Sequence, residues 1–132
     1  MRYIPAILYM FFVVTILGCG PKAPYDVVRL EGVVTYAGKP VAPGFRLEFR
    51  PLDGKRVSTA ITKDGGNFVA AHTAHQDGVS VGNHQITIQW DPLGPPVAPE
   101  YAPMLEKYGF GTEGLKIEIT KPDRKFKLDF PE

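Results

Sequence analysis

The feature that most constrains this chain is a two-residue alternation of apolar and polar side chains, which recurs from residue 28 to residue 130. Side chains at alternate positions of a β-strand point to the same face, so the alternation predicts strands with one buried face and one wet face. Phe45, Leu47 and Phe49, for example, alternate with charged residues. Seven strands are predicted in all, at 28–36, 45–50, 57–62, 67–71, 84–90, 115–120 and 125–130.

The segments between these strands carry turn-forming residues. Residues 37–40, 53–54 and 64–67 supply Gly, Pro, Asn and Asp, which start turns or tolerate positive φ. Only residues 104–108, which follow Pro103, fit a helical turn. Strands with short turns and one wet face favour an all-β fold, a seven-stranded antiparallel β-sandwich.

Length and charge exclude several classes of protein. A chain of 132 residues makes one ordinary domain, whereas TIM barrels and α/β-hydrolases need roughly 200 residues or more. Lys and Arg number 15 against 14 Asp and Glu, which predicts no broad basic surface and no nucleic-acid partner.

Residues 1–18 have the organisation of a secretory signal peptide. Arg2 gives a positive start, and residues 4–16 form an uncharged apolar run. That run is too short to cross a bilayer comfortably but fits the apolar region of a signal peptide. We therefore predict that residues 1–18 are not part of the fold.

The apolar run ends in Ile16, Leu17, Gly18 and Cys19, and Cys19 is the only cysteine of the chain. This order resembles the lipobox of bacterial lipoproteins, which implies cleavage before Cys19 and attachment of lipid, palmitate included, to that residue. Two or three acyl chains, at about 0.8 kcal/mol per buried CH₂, anchor a protein of this size stably. Gly20 stands where an Asp would resemble an inner-membrane retention signal, which favours the outer membrane.

The mature chain is then organised as a tether and a domain. Residues 19–26 are polar, contain two prolines and are predicted to link the lipid to the fold. Residues 27–132 are predicted to form the β-sandwich. This arrangement places the protein in the bacterial cell envelope, facing the periplasm or the cell surface.

Four segments of the domain share a recognisable pattern of glycines and apolar residues: 30–36 (LEGVVTY), 38–41 (GKPV), 62–68 (TKDGGNF) and 82–88 (GNHQITI). They resemble carboxypeptidase regulatory-like, transthyretin-like domains, and the resemblance covers nearly all of residues 27–130. It implies a sandwich of about seven strands with an accessory, binding or spacer role, and no catalytic activity.

Three glycines have a predicted structural reason. Gly32 lies in mid-strand among large residues, which indicates a bulge or a close approach of another backbone. Gly65 and Gly66 offer two positions for left-handed backbone in a tight turn before Phe68.

A serine motif invites a catalytic interpretation. Residues 78–82 (GVSVG) match the G-x-S-x-G nucleophile elbow around Ser80. The elbow needs a following helix inside a larger α/β sheet, whereas a strand is predicted here. We expect a turn that leads into a strand.

Among the acidic residues, no pair stands out as the two carboxylates of a glycosidase.

Histidines and acidic turn residues are candidate metal ligands. His72, His75 and His84, with Asp77 as a fourth ligand, would suit zinc only if the fold held them together. We expect them instead to be solvated or cross-strand histidines, and we predict no metal site.

Three acidic or amide residues of the turns are candidate ligands for calcium. Asp53, Asp64 and Asn67 lack the spacing of a twelve-residue calcium loop. They are predicted to be turn residues.

The most unusual segment is 91–112, which contains five prolines and no strand pattern. Loops of this length are uncommon in compact domains and are often functional. Trp90, Tyr101, Tyr108 and Phe110 could form a platform for a carbohydrate or a peptide. The structural alternative is that these rings pin the loop over an open edge or end of the sandwich.

Together these observations predict a non-catalytic, lipid-anchored cell-envelope protein with a structural or interaction role and no cofactor. Its expected partners are the membrane, through acylated Cys19, and an envelope protein or glycan, but no nucleic acid. The alternative function is a carbohydrate- or peptide-binding module that uses the 91–112 loop.

Overall fold

The computed structural model describes residues 23–132. The predicted signal peptide, Cys19 and residues 20–22 of the tether lie outside the described residues, so those assignments stay predictions. Within residues 23–132, no helix is long and apolar enough to cross a membrane.

Twelve strands and one α-helix form in this part of the chain. The strands are β1 (Val27–Val28), β2 (Leu30–Tyr36), β3 (Lys39–Pro40), β4 (Phe45–Pro51), β5 (Ser58–Ile61), β6 (Asn67–Val69), β7 (Ala71–Thr73), β8 (Gln76–Asp77), β9 (Val79–Ser80), β10 (Gly82–Trp90), β11 (Leu115–Ile119) and β12 (Asp123–Phe130). Helix α1 (Ala102–Tyr108) follows a 3-10 turn at Pro99–Tyr101, and a second 3-10 turn spans Asp64–Gly66.

Each of the seven predicted segments contains a strand, and α1 includes the predicted helical turn. The structure nevertheless has twelve strands where seven were predicted. The five additional strands, β1, β3, β7, β8 and β9, contain two or three residues each. Segments this short cannot display an alternation, because a period of two needs about four residues to be recognised.

The large sheet contains six strands in the order β11-β10-β4-β5-β7-β8, and all of its neighbours are antiparallel. Its longest pairing joins β10 to β4, from His84 opposite Pro51 to Trp90 opposite Phe45. Residues that lie opposite one another share a face, so Ile86 and Ile88 of β10 point to the same side as Phe49 and Leu47 of β4.

The small sheet contains β12, β2 and β3 in that order, with β6 also paired to β2. A separate two-stranded ribbon joins β1 to β9. The core lies between the two sheets: Phe49 of the large sheet packs against Phe68 of the small sheet with ring centroids 6.0 Å apart, and both rings are buried. The fold is therefore all-β, with two sheets that share one core.

One pairing corrects the expectation of a purely antiparallel sandwich. β12 runs parallel to β2, with Lys127 opposite Val33 and Phe130 opposite Tyr36. Sequence alternation is the same for parallel and antiparallel strands, so it carries no information about direction. β12 reaches the small sheet from β11 of the large sheet, and no hairpin joins it to β2 to impose an antiparallel course.

Gly32 confirms the predicted close approach. A Cβ built on Gly32 would lie 1.8 Å from the carbonyl oxygen of Phe126. The β12–β2 register also shifts between Asp123 and Phe126, as expected for a bulge. The predicted left-handed turn is present as well, since Gly65 and Gly66 have φ values of 73° and 75°.

Candidate functional site

The 91–112 loop is held against the domain by two of its predicted binding residues. Trp90 donates its indole N–H to the carbonyl of Pro95 over 2.7 Å, and its ring packs edge-on against Phe45 with centroids 4.7 Å apart. Tyr101 packs against the same Phe45 ring at 4.9 Å, and its hydroxyl accepts the backbone N–H of Ala42. Both side chains therefore stabilise one end of the sandwich.

Tyr108 and Phe110 lie in different environments. Tyr108 is buried, donates its hydroxyl to the carbonyl of Pro131 over 2.6 Å and packs against Phe130. Phe110 is 75% exposed. The sequence does not single out Met104, which belongs to α1 and whose side chain is fully buried on the inner face of that helix. The four rings thus do not form one exposed platform, and ligand binding by all four together stays a prediction.

Ser80 and His84 form a buried pair. The hydroxyl of Ser80 lies 3.3 Å from Nε2 of His84, whose Nδ1 lies 2.9 Å from the carbonyl oxygen of Gly82. Neither Ser80 nor His84 is exposed to solvent. A strand, β10, follows Ser80 in place of the helix that a nucleophile elbow requires. A substrate would need direct contact with the hydroxyl, so this geometry serves packing and hydrogen bonding.

A second buried histidine connects the N-terminal segment to the large sheet. His72 lies 2.9 Å from the hydroxyl of Tyr25 through Nε2 and 2.9 Å from the hydroxyl of Ser58 through Nδ1. A neutral imidazole satisfies both contacts when Tyr25 donates to Nε2 and Nδ1–H donates to Ser58. Tyr25 also packs edge-on against His72, and Lys55 lies 5.3 Å from the Tyr25 ring centroid. Among the described tether residues 23–26, Tyr25 is therefore fixed to the domain by side-chain contacts.

Burial lowers the pKa of both histidines below the ordinary value of 6.5. Desolvation is the main cause at His72, and the positive charge of Arg56 adds to it. Desolvation also dominates at His84, against smaller opposing effects from the Gly82 carbonyl and Asp53. The folded protein consequently favours the neutral form of each imidazole.

This depression predicts an acid-sensitive fold. Because the folded pKa lies below the unfolded value, stability from neutral His72 and His84 is complete above about pH 6.5 and is lost as pH falls through the lower folded values. We expect the urea midpoint to fall between about pH 7 and about pH 5, measured by circular dichroism. His84→Gln should flatten this slope, whereas replacement of the exposed His75 by Gln should leave it unchanged. An equal slope in wild type and His84→Gln would contradict the assignment to His84.

The candidate metal ligands do not lie close together in the structure. No group of three or more His, Cys, Asp or Glu side chains is placed to hold a metal ion among residues 23–132. Asn67 donates its side-chain amide to the carbonyl of Asp64, and Asp53 pairs with Lys55 at 3.0 Å. These contacts are those of turn residues.

A groove lies on the outer face of the small sheet, away from the core. This small-sheet groove has a volume of about 830 Å³ and is lined by β2, β6, β12 and the turn before β6. Leu128 and Phe130 of β12 are buried, so the alternate residues Lys125, Lys127 and Asp129 face the groove.

Positive charge is concentrated along this groove. Lys63, Arg124, Lys125 and Lys127 line it and are exposed, and none has an ion-pair partner within 4.0 Å among residues 23–132. The two acids that line it are both engaged: Glu31 pairs with Arg29 at 3.0 Å, and Asp129 accepts the hydroxyl of Thr35 over 2.7 Å.

The outer face of the large sheet is also basic, but two of its cations share an acid. There, Glu48 lies 4.0 Å from Arg46 and 3.7 Å from Arg50, so one carboxylate is shared by two guanidinium groups. Arg56 on the same face has no ion-pair partner within 4.0 Å among residues 23–132, whereas the small-sheet groove has four cations without one, beside two acids.

Sequence reasoning missed this groove. Lys125 and Lys127 were recognised as polar residues of an alternating strand, and that part is confirmed by their exposure. Their juxtaposition with Lys63 depends on β12 and β6 both pairing with β2. The one available signal was the basic run from Lys121 to Lys127, which holds four Lys or Arg residues.

Comparison of the chain with family models, with curated proteins and with solved structures yields no match.

Proposed function

We propose that this chain is a lipid-anchored protein of the bacterial cell envelope, with a non-catalytic structural or interaction role. The observation that carries the proposal is the position of Cys19, the only cysteine, at the end of an apolar N-terminal run. The contacts of Tyr25 support it, since the domain begins directly after the lipobox-like segment. A domain so placed is suited to presentation at a membrane surface.

The length of the tether sets how far the domain reaches from the lipid. Tyr25 follows Cys19 by six residues, and a fully extended chain of that length spans at most about 20 Å. Under the proposal, the surface around Tyr25 and the neighbouring turn at 52–56 stays close to the membrane. The opposite end, which α1 covers, faces away from it.

We propose further that the domain is of the carboxypeptidase regulatory-like, transthyretin-like type. Two sheets with a common core support this assignment, as does the strained approach that only glycine permits at position 32. A non-catalytic role is supported by the two Ser–His contacts, because Ser58, His72, Ser80 and His84 are all at most 3% exposed. A hydroxyl so deeply buried cannot act on an external substrate.

Metabolic labelling with a fatty-acid probe tests the anchor. We expect label on the wild-type chain and none on Cys19→Ser, because Cys19 provides the only thiol. Cys19→Ser should also retain its signal peptide and run as a longer chain on a gel. Phe110→Ala, a change at an exposed position of the domain, is the control that should be labelled like wild type. An unlabelled wild-type chain, or label that survives Cys19→Ser, would overturn the proposal.

A further inference from the structure

We infer that the small-sheet groove binds an acidic polysaccharide. The inference extends the proposed function, because an envelope location supplies such polymers, while the binding itself is argued from the chemistry of the groove. Four elements of that chemistry agree: unpaired cations, their spacing, an apolar floor and a concave shape.

Charge provides the first argument. The whole chain is almost neutral, with 15 basic and 14 acidic side chains. The groove collects four cations, Lys63, Arg124, Lys125 and Lys127, against two acids: Glu31, which is paired with Arg29, and Asp129, which accepts a neutral hydroxyl and keeps its charge. This excess of exposed positive charge attracts a negatively charged ligand and steers it to the surface.

The spacing of the cations fits an extended polymer. Lys125 and Lys127 point to the same face of β12 and are about 7 Å apart along the strand. Lys63 precedes β6, on the other side of β2. Since neighbouring strands are about 4.8 Å apart, β12 and β6 are separated by about 10 Å. A chain that follows the groove can therefore meet cations from both walls.

The floor of the groove is partly apolar. Val33 of β2 and Val69 of β6 face outward between the charged walls, with the side chains of Thr35 and Asn67 beside them. Sugar rings present C–H groups together with hydroxyls, so an apolar strip flanked by a hydroxyl and an amide can contact both. A simple inorganic anion would leave the apolar strip unused.

Shape and composition argue against other polyanions. A flat bilayer cannot enter a concave groove of about 830 Å³. Single-stranded nucleic acid binds by stacking bases on aromatic rings, but Phe68 is buried in the core and Phe126 packs against it from the same sheet. No aromatic ring that lines the groove is exposed, since Phe68 is buried and Phe126 is partly buried.

Binding of oligogalacturonate to the full chain in non-ionic detergent, measured by calorimetry, tests the inference. We expect binding that weakens with added salt and no binding of neutral dextran. Lys125→Glu combined with Lys127→Glu should raise the Kd about tenfold or more, because both reversed charges face the groove. The control, Lys107→Glu combined with Lys116→Glu, changes the net charge equally away from the groove and should keep the Kd within about twofold.

Each contrary result identifies an error in the inference. Absence of oligogalacturonate binding, or equal weakening by both double variants, would overturn it. Tighter binding of poly-glutamate would indicate an acidic peptide as the ligand, and saturation by glycerol phosphate would indicate a lipid headgroup. All four substituted lysines are exposed, so unchanged circular dichroism should verify the fold of each variant. The binding measurement does not depend on acylation of Cys19. It therefore tests the groove even if the labelling experiment shows that the chain has no lipid anchor.

Discussion

Gly32→Ala is expected to lower the free energy of unfolding by about 3 kcal/mol or more. The new methyl group would lie 1.8 Å from the carbonyl oxygen of Phe126 and 2.7 Å from its amide nitrogen. Both atoms belong to backbone, so no side-chain rotation relieves the clash, and β12 would have to move away from β2. That movement weakens the pairing that attaches the C-terminal strand to the small sheet. Urea unfolding followed by circular dichroism measures the loss.

Gly38→Ala is the matched control for this substitution. Gly38 has a φ of 79°, and a Cβ built there has no heavy atom within 4 Å. Its replacement therefore adds left-handed backbone strain alone, which costs about 1–2 kcal/mol. Should Gly32→Ala prove no more destabilising than Gly38→Ala, the close approach of β12 to β2 would be wrong.

Phe49→Ala is expected to cost about 3–5 kcal/mol, because it removes a fully buried ring and leaves a cavity. Phe49 extends from the large sheet to Phe68 of the small sheet, so the substitution removes a packing contact between the two sheets. Domains of this kind have a total stability of about 5–15 kcal/mol, so the variant would be close to unfolding. The shift in the urea midpoint, converted with the wild-type slope, gives the cost.

Phe110→Ala makes the same chemical change at a ring that is 75% exposed. We expect it to alter stability by no more than about 0.5 kcal/mol. A cost below about 1 kcal/mol for Phe49→Ala would mean that the strand register places the wrong face inward.

The strands were predictable because side chains of a strand alternate between the two faces of its sheet, so buried and exposed residues alternate along the sequence. Leu47 and Phe49 are buried, whereas the flanking Arg46 and Arg50 are exposed and the intervening Glu48 is half-buried, as the alternation of the sequence predicts. Gly32 was predictable for a different reason, since a glycine among large residues of a strand leaves space that another backbone fills. Both inferences depend on neighbours in sequence.

The candidate site was less predictable, because its chemistry depends on neighbours in space. The aromatic loop was identified as unusual, yet its sequence does not show that Tyr108 bonds to Pro131 or that Tyr101 packs on Phe45. The pairing of His72 with Tyr25 joins residues 47 positions apart. Composition identifies such groups as candidates, but only packing shows which of them are satisfied.

Local alternation and turn glycines were thus enough to establish the all-β class and the positions of the main strands, and the apolar N-terminus was enough to predict a lipid anchor. The direction of β12 and the gathering of Lys63, Lys125 and Lys127 on one face were decided by the tertiary structure. The physical reason is that the sequence of a strand alone shows which of its side chains are buried and which are exposed. The strand with which it pairs, and the direction of that pairing, depend instead on how the whole core packs.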